Sequence, residues 1–362
     1  MIPIAYPSFG PAEREAVAEV LADGRVADGP IVREFEREFA DFCDAAHGAA
    51  MANGTLALHA ALEGLGIGDG DTVVTTPFSF VASANAIRLA GATPVFADVD
   101  PETYALDPHA AERRVRETDA DAILAVHLYG LPVDVNALGD VADDADIPLV
   151  EDAAQAHGAA YDGRPVGSLG DAAAFSFYPT KNMTTGEGGM VVTDREDVAR
   201  RAASFANHGR TEDATYAHER LGSNYRMTSI AAAIGRVQLE RLPGWVQARR
   251  SNAARLTETL RSVPGIEPPV EPAGRTHAYH QYSVRTDDRD HLRNVLSDEG
   301  VDTAIYYPTP IHRLGAYDEY DADAPVAERV ANEVVSLPVH PGLSEDDLET
   351  IVRALEQTIV EA

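Results

Sequence analysis

One lysine stands among the 29 lysine and arginine residues of this chain, at Lys181 in FSFYPTKNMTTGEGG. Arginine stays protonated at any biological pH, whereas a buried lysine can lose its proton and become a nucleophilic amine. A sequence that uses arginine at every other basic position therefore marks Lys181 as a candidate covalent catalyst. Chance retention in a loop is the alternative. Upstream, LVEDAAQAHG carries Glu151 and Asp152 at the end of a short apolar strand expected over residues 147–150. The carboxyl ends of parallel strands are where open α/β sheets hold ligands. An N-cap aspartate for a following helix is the competing explanation for Asp152. Gln155 comes three residues later and Lys181 29 residues later. A carboxylate, an amide and a lone primary amine in that order match the needs of a pyridoxal phosphate site. There the carboxylate keeps the pyridine nitrogen protonated, and the ring can accept electrons from a carbanion.

A phosphate needs its own seat. In AAMANGTLALHAAL, Gly54 and Thr55 stand at an expected helix start, where backbone N–H groups lack intrahelical acceptors and favour a dianion. By itself the stretch is also a plain capped helix. TPFSF sets Phe80 just past a strand end, free to lie on a flat ring or to pack in the core. Other chemistries find no footing. The phosphate loop GxxxxGK[ST] is absent, GLGIGDGD lacks the third glycine of GxGxxG and follows a helix, and there is no GxSxG elbow. His277-x-x-His280 is a lone pair read as structural, so no metal site is expected. The single cysteine, Cys43, excludes an intramolecular disulfide and a cysteine-built zinc site.

Such residues need a scaffold, and the flanking pattern supplies one. Residues 11–23 and 31–43 have helical apolar spacing around the turn DGRVADGP, and a helix is expected over residues 55–64. Then TVVTTP, SFVASANAIRLAG, TPVFADV, AILAVHL, a helix at 135–144 and IPLVED follow, strands interleaved with helices, the pattern of parallel βαβ units. DAAAFSFY and GGMVVTD predict two further strands, antiparallel or at a sheet edge. A long helix from Ser229 to about residue 262 is expected to break near Pro243-Gly244. The proline- and glycine-rich VPGIEPPVEPAGR opens a second unit with AYHQYSVRT, helices at 288–299 and 325–335, and LSEDDLETIVRALEQTIVEA. The expectation is an α/β protein with a large domain over residues 1–245, its mostly parallel central sheet covered by helices, and a small C-terminal α/β domain over 246–362.

The chain has 362 residues, 45% hydrophobic and 24% charged, the composition of a globular protein. Its apolar runs are far shorter than the ~20 residues that cross a bilayer. MIPIAYPSFGPAERE lacks the basic start and apolar core of a signal peptide, so a cytoplasmic protein is expected. The net charge is −30, with acidic residues scattered rather than gathered into a tail. In roughly molar salt the screening length falls to about 3 Å, which removes most of the self-repulsion of such a surface. The surface therefore predicts a salt-accumulating cytoplasm. No basic face is evident, which argues against nucleic-acid binding.

Taken in order, NGTLALHAAL, TPFSFVASANAI, EDAAQAHGA, FSFYPTKNMTTGEGGM, GSNYRMTSIAAAIGRVQL and YYPTPIHRL resemble the DegT/DnrJ/EryC1/StrS family across nearly the whole chain. The resemblance implies a fold-type I, pyridoxal phosphate-dependent sugar aminotransferase. It implies that Lys181 holds the cofactor as an internal aldimine, that Asp152 pairs with the pyridinium, that Gln155 sits by the ring oxygen and that Phe80 stacks on the ring. By the same resemblance, Gly54, Thr55, Leu56 (through its backbone) and Ser176 bind the phosphate. Asn224 reaches the phosphate in the neighbouring subunit, which implies an obligate homodimer. Arg226, Tyr307 and His312 lie in segments that line the substrate side in relatives. Relatives often read H-x-Q-P-x-Y from that histidine on, where this chain has HRLGAY, so Arg313 and Leu314 weaken any substrate inference from that loop. A side branch of the family carries histidine in place of the lysine and dehydrates sugars; Lys181 argues against it.

The implied reaction moves an amino group, with glutamate as donor, to a nucleotide-activated 3- or 4-keto sugar in two half-reactions. Both substrates are anionic, so an acidic protein needs local positive charge, for which Arg226 and Arg313 are the candidates. A surface ion pair is the alternative for either arginine. Two rival functions remain: transfer to a non-nucleotide ketone such as a cyclitol, and cofactor-dependent regulation without turnover.

Overall fold

A computed structural model describes residues 1–210, 216–320 and 322–358. Helices α1 (Pro11–Asp23) and α2 (Pro30–Phe42) precede β1 (His47–Met51), α3 (Gly54–Leu65), β2 (Thr72–Thr75), α4 (Ala82–Leu89) and β3 (Thr93–Phe96). The chain continues through α5 (Pro108–Thr118), β4 (Ala122–Val126), α6 (Val135–Ala145) and β5 (Leu149–Asp152). A small hairpin, β6 (Ala160–Tyr161) and β7 (Arg164–Pro165), leads to β8 (Ala172–Ser176), β9 (Gly189–Thr193), α7 (Glu196–Ala206) and the 32-residue α8 (Ser229–Leu260). Then come β10 (Arg275–Thr276), β11 (Tyr282–Arg285), α9 (Arg289–Asp298), α10 (Pro325–Glu333), β12 (Val334–Leu337) and α11 (Glu345–Gln357).

Seven strands form the main sheet in the order β1-β9-β8-β5-β4-β2-β3. The five from β8 to β3 are parallel, β9 is antiparallel to β8, and β1 is antiparallel to β9. Only β9 therefore runs against the rest. In β4 and β8 every residue is buried, as expected of strands covered on both faces. Alternation sorts their side chains: Leu124, Val150 and Ala174 pack against Leu58 and Leu62 of α3. Ala173, Phe175 and Val192 meet Phe35 and Phe39 of α2 and Leu242 of α8 on the other face. The C-terminal part closes on its own core, where Tyr282, Val284, Val335 and Leu337 of the β11–β12 pair meet Leu292, Leu296, Ile351 and Leu355.

Three sequence expectations change. The expected strand at 147–150 is β5, which ends on Asp152; turns follow it, so the N-cap explanation falls. The helix from Ser229 does not break at Pro243. That proline faces solvent while Leu242 and Val246 are buried, so packing on one side holds the helix through the lost backbone bond. Residue 245 thus lies inside α8, which runs through the expected domain boundary. Strand β1 and helices α5 and α7 were not expected. HGAAM has no β-branched residue, and PHAAERRVRET carries a single large apolar side chain, too little pattern to read.

Candidate active site

Parallel strands deliver side chains to one end of the sheet. At or just past the carboxyl ends of β1, β2, β4, β5 and β8 lie Gly54, Phe80, Tyr129, Asp152 with Gln155, and Lys181 respectively. The loop after β8 is pinned on both sides of the lysine. Lys181 N–H donates to the Tyr178 carbonyl (2.9 Å), Asn182 Nδ2 to the Ala278 carbonyl (3.0 Å) and Thr184 Oγ1 to the Phe177 carbonyl (2.7 Å). Among the described residues no hydrogen bond or ion pair holds the Lys181 amine. Although the residue keeps a narrow opening to solvent, its amine is desolvated. Burial lowers its pKa to about 8, against a smaller upward pull from Asp152. The neighbouring His157 stays neutral, its pKa brought down to about 3 by burial and by the Lys181 charge.

Asp152 is 4% exposed. Burial raises its carboxyl above the ordinary range, and hydrogen bonds oppose the shift. Ser83 Oγ donates to Oδ2 (2.6 Å) and the Ala154 N–H to Oδ1 (3.2 Å). Its sequence neighbour Glu151 points to the opposite face of the strand. It takes N–H groups of Gly167, Leu169 and Gly170 and the Nε2 of His127 (2.9 Å). Because His127 Nδ1 accepts from the Val133 N–H, Nε2 carries the proton; Glu151 staples the scaffold and leaves Asp152 to the site.

Gln155 is oriented by the backbone. Its Oε1 accepts from the Tyr129 N–H (2.8 Å) and lies 3.4 Å from His280 Nδ1, which turns Nε2 toward Tyr307 Oη (3.3 Å). Gly130, at φ +98°, permits this approach: a Cβ there would meet the Gln155 carbonyl and His280 N at 3.0 Å. Phe80 does not pack in the core. The buried ring of TPFSF is Phe78, at 0% exposure, whereas Phe80 is 53% exposed, its ring 5.9 Å from that of Tyr307.

The start of α3 leaves two amides unclaimed. Asn53 caps α3, its Oδ1 accepting the Leu56 N–H (3.0 Å) and its carbonyl the Ala57 N–H (3.0 Å). Among the described residues, no protein acceptor takes the N–H of Gly54 or Thr55. Leu56, expected to offer its amide to the phosphate, gives it to Asn53. Ser176 lies against Gly54 so closely that a Cβ on residue 54 would stand 2.6 Å from the serine Cβ. Exchange of Gly54 for alanine should cost about 1–3 kcal/mol of stability through this overpacking, read as a lower Tm.

The remaining expected residues scatter. Asn224 is exposed, its backbone bridged to Asn207. Arg226 donates to Asn207 Oδ1 (2.7 Å) and lines a cavity of about 650 Å³ whose walls do not include Lys181, Asp152 or Gln155. His312 and Arg313 both meet Glu328 of α10, at 3.0 and 2.6 Å, so the Arg313 charge is paired at the surface. Ser83, Tyr129 and His280 belong to the site and were not foreseen in that role. Tyr129 acts through its backbone, and His280 carried only the short HAYH pattern.

Pyridoxal phosphate fits what is present: a desolvated free amine, a buried carboxylate, an oriented amide, an open aromatic face and unclaimed N–H groups at a helix start. The fold and this site define an aminotransferase of the fold-type I class. The chain belongs to the DegT/DnrJ/EryC1/StrS aminotransferase family, whose model matches residues 7–356. It is 38% identical to a pleiotropic regulatory protein of Geobacillus stearothermophilus, over 97% of this chain and 95% of that one. It is 39% identical to the dTDP-3-amino-3,4,6-trideoxy-alpha-D-glucose transaminase of Streptomyces venezuelae, over 98% of this chain and 93% of that one. Among solved structures, S. venezuelae DesV in complex with a ketimine intermediate superposes with a TM-score of 0.92 at 39% identity, over 96% of this chain and 94% of that one.

Proposed function

We propose that this aminotransferase uses pyridoxal phosphate to move an amino group from glutamate to a nucleotide-activated keto sugar, at the 3 or 4 position. The observation that carries the reading is the Lys181 amine, desolvated, free of protein partners among the described residues and within the field of Asp152. When bound, the cofactor supplies an aldehyde for amine exchange and a ring that accepts carbanion electrons. Lys181 would anchor it and, as a free neutral amine, would move a proton at the donor's α-carbon. Asp152 keeps the ring nitrogen protonated, Gln155 holds the ring oxygen, and Phe80 covers one face. Gly54, Thr55 and Ser176 hold the phosphate. Exposed Asn224 reaches the phosphate of a second copy, so the working unit is a homodimer, and Arg226 and Tyr307 serve the substrate side. The test is release of 2-oxoglutarate from glutamate against a panel of dTDP-, UDP- and GDP-linked keto sugars. Turnover with a cyclitol ketone but with none of these would replace the substrate class.

The name of the Geobacillus relative favours a second reading, regulation without catalysis. Against it stand the complete set of Lys181, Asp152 and Gln155. Glutamate-dependent loss of the holoprotein's yellow colour separates the two.

The lysine makes a pH prediction. Only the neutral amine attacks an aldehyde, and the Lys181 pKa is lowered to about 8. Cofactor uptake by apoprotein, followed by absorbance, should quicken with rising pH and level off above about 8, where an ordinary lysine would still be gaining. A second prediction concerns the net charge of −30. In a high-salt cytoplasm the self-repulsion of that surface is screened, so Tm should rise steadily with potassium chloride. A Tm indifferent to salt would remove the halophilic assignment.

A further inference from the structure

Asp152 has two side-chain oxygens and few partners. Among the described residues, Oδ1 takes the Ala154 N–H at 3.2 Å, and Oδ2 takes a single side-chain donor, Ser83 Oγ, at 2.6 Å. That separation lies within the range of a hydroxyl donating to a carboxylate. Ser83 has one proton and three neighbours that could accept it: Asp152 at 2.6 Å, Ser79 Oγ at 3.0 Å and the Phe80 carbonyl at 3.3 Å. The shortest contact and the only anionic acceptor is Asp152, so the proton lies there and the Ser79 hydroxyl donates to Ser83 in turn. Both serines are buried, at 1% and 3% exposure, and water has little room to replace them. They flank Phe80 on the turn that starts α4, so one turn supplies both the aromatic face and the donor to the carboxylate.

Resting on the pyridoxal phosphate reading of the site, we infer that Ser83 is a positioning residue for Asp152. Its hydroxyl, backed by Ser79, keeps the carboxylate ionised and oriented, and so biases the proton shared with the ring nitrogen toward that nitrogen. The bias is needed because burial works the other way. Among the influences that oppose burial at Asp152, the Ser83 hydrogen bond is the largest, ahead of the Lys181 charge. Loss of that bond makes the neutral acid easier to form, and a neutral acid gives the ring nitrogen no counter-charge. No bond is made or broken by Ser83 itself.

The experiment uses holoenzyme loaded with pyridoxal phosphate labelled with 15N in the ring. In the wild type the nitrogen resonance should sit at the protonated position at neutral pH. Ser83→Ala should move it toward the unprotonated position, Ser83→Thr should restore it, and Asp152→Asn should move it furthest. With Ser83→Ala, kcat should fall roughly tenfold while KM for glutamate stays within about twofold, the pattern of a loss felt in the transition state. A merely structural serine would lower Tm and leave the resonance in place. Should Ser83→Ala fail to fold, Ser83→Cys keeps the volume with a much weaker donor. If Asp152→Asn moves the resonance and neither Ser83 variant does, the inference is overturned while the site reading stands. If Asp152→Asn leaves it unmoved, the site reading itself fails and takes the inference with it.

Discussion

Lys181→Arg enzyme is expected to fold and to turn over nothing. Guanidinium holds its proton across the whole biological range, so it can neither attack an aldehyde nor ferry a proton. A positioned proton carrier alone contributes about 10²–10⁴-fold, and the same substitution removes the covalent anchor. The fall in kcat should therefore exceed roughly 10⁴-fold, measured as initial 2-oxoglutarate release with far-UV circular dichroism as the control for folding. No described hydrogen bond depends on the lysine amine, so the loop should keep its shape. Because arginine also brings an obligatory charge into a desolvated place, Lys181→Ala is the companion variant. Borohydride reduction of wild-type holoprotein should leave the adduct on the peptide containing Lys181. Substantial activity in Lys181→Arg, or an adduct elsewhere, would end the case for covalent catalysis at this position.

Asp152→Asn should be the second largest loss. A carboxylate about 4 Å from a cation, at an effective dielectric near 20, gains about 4 kcal/mol before desolvation, close to three factors of ten in rate. A fall of about 10³-fold in kcat is expected, with cofactor still bound through Lys181 and the phosphate seat. The same variant carries a second signature. Asp152 pulls the Lys181 pKa upward against burial, so its neutralisation should move the lysine below the wild-type value of about 8. The pH profile of cofactor uptake by apoprotein should then level off at lower pH than in the wild type. A profile that stays put, or moves up, would show that the two groups do not share a field.

The opposed pulls on this pair explain why the lysine is poised near neutrality. Desolvation disfavours both charges, raising the Asp152 carboxyl and lowering the Lys181 amine, while their mutual attraction opposes both shifts. Ser83 adds to the acid side alone. Glu151 is buried as deeply as Asp152, yet three backbone N–H groups and His127 hold its carboxyl below the ordinary range, although burial itself pushes upward. Adjacent carboxylates on one strand thus differ because alternation sends them into different surroundings.

Lys181, Asp152 and Gln155 stand out in the sequence because each is a functional group whose type is itself unusual there: a solitary lysine, and polar residues at and just after the end of an apolar strand. The βαβ series was legible because AILAV and its like are continuous apolar runs, the mark of strands covered on both faces. Small-residue β1 escaped notice, since its place in the sheet comes from pairing with β9 rather than from propensity. Pro243 misled because local chemistry predicts a break and burial of the opposite helix face prevents one. Arg313 is paired with Glu328, 15 residues away in the chain, a partner that only the fold brings beside it.

What the sequence determined by itself is the inventory: one amine able to lose its proton, a carboxylate and an amide in fixed order, and a helix start with glycine. Tertiary structure decided which of these share a space and with what charge. Only the folded sheet brings Ser83, 69 residues from Asp152 along the chain, to 2.6 Å from its carboxylate. The reason is that hydrogen bonds and desolvation act over a few ångströms, and distances of that size between remote segments are set by packing alone.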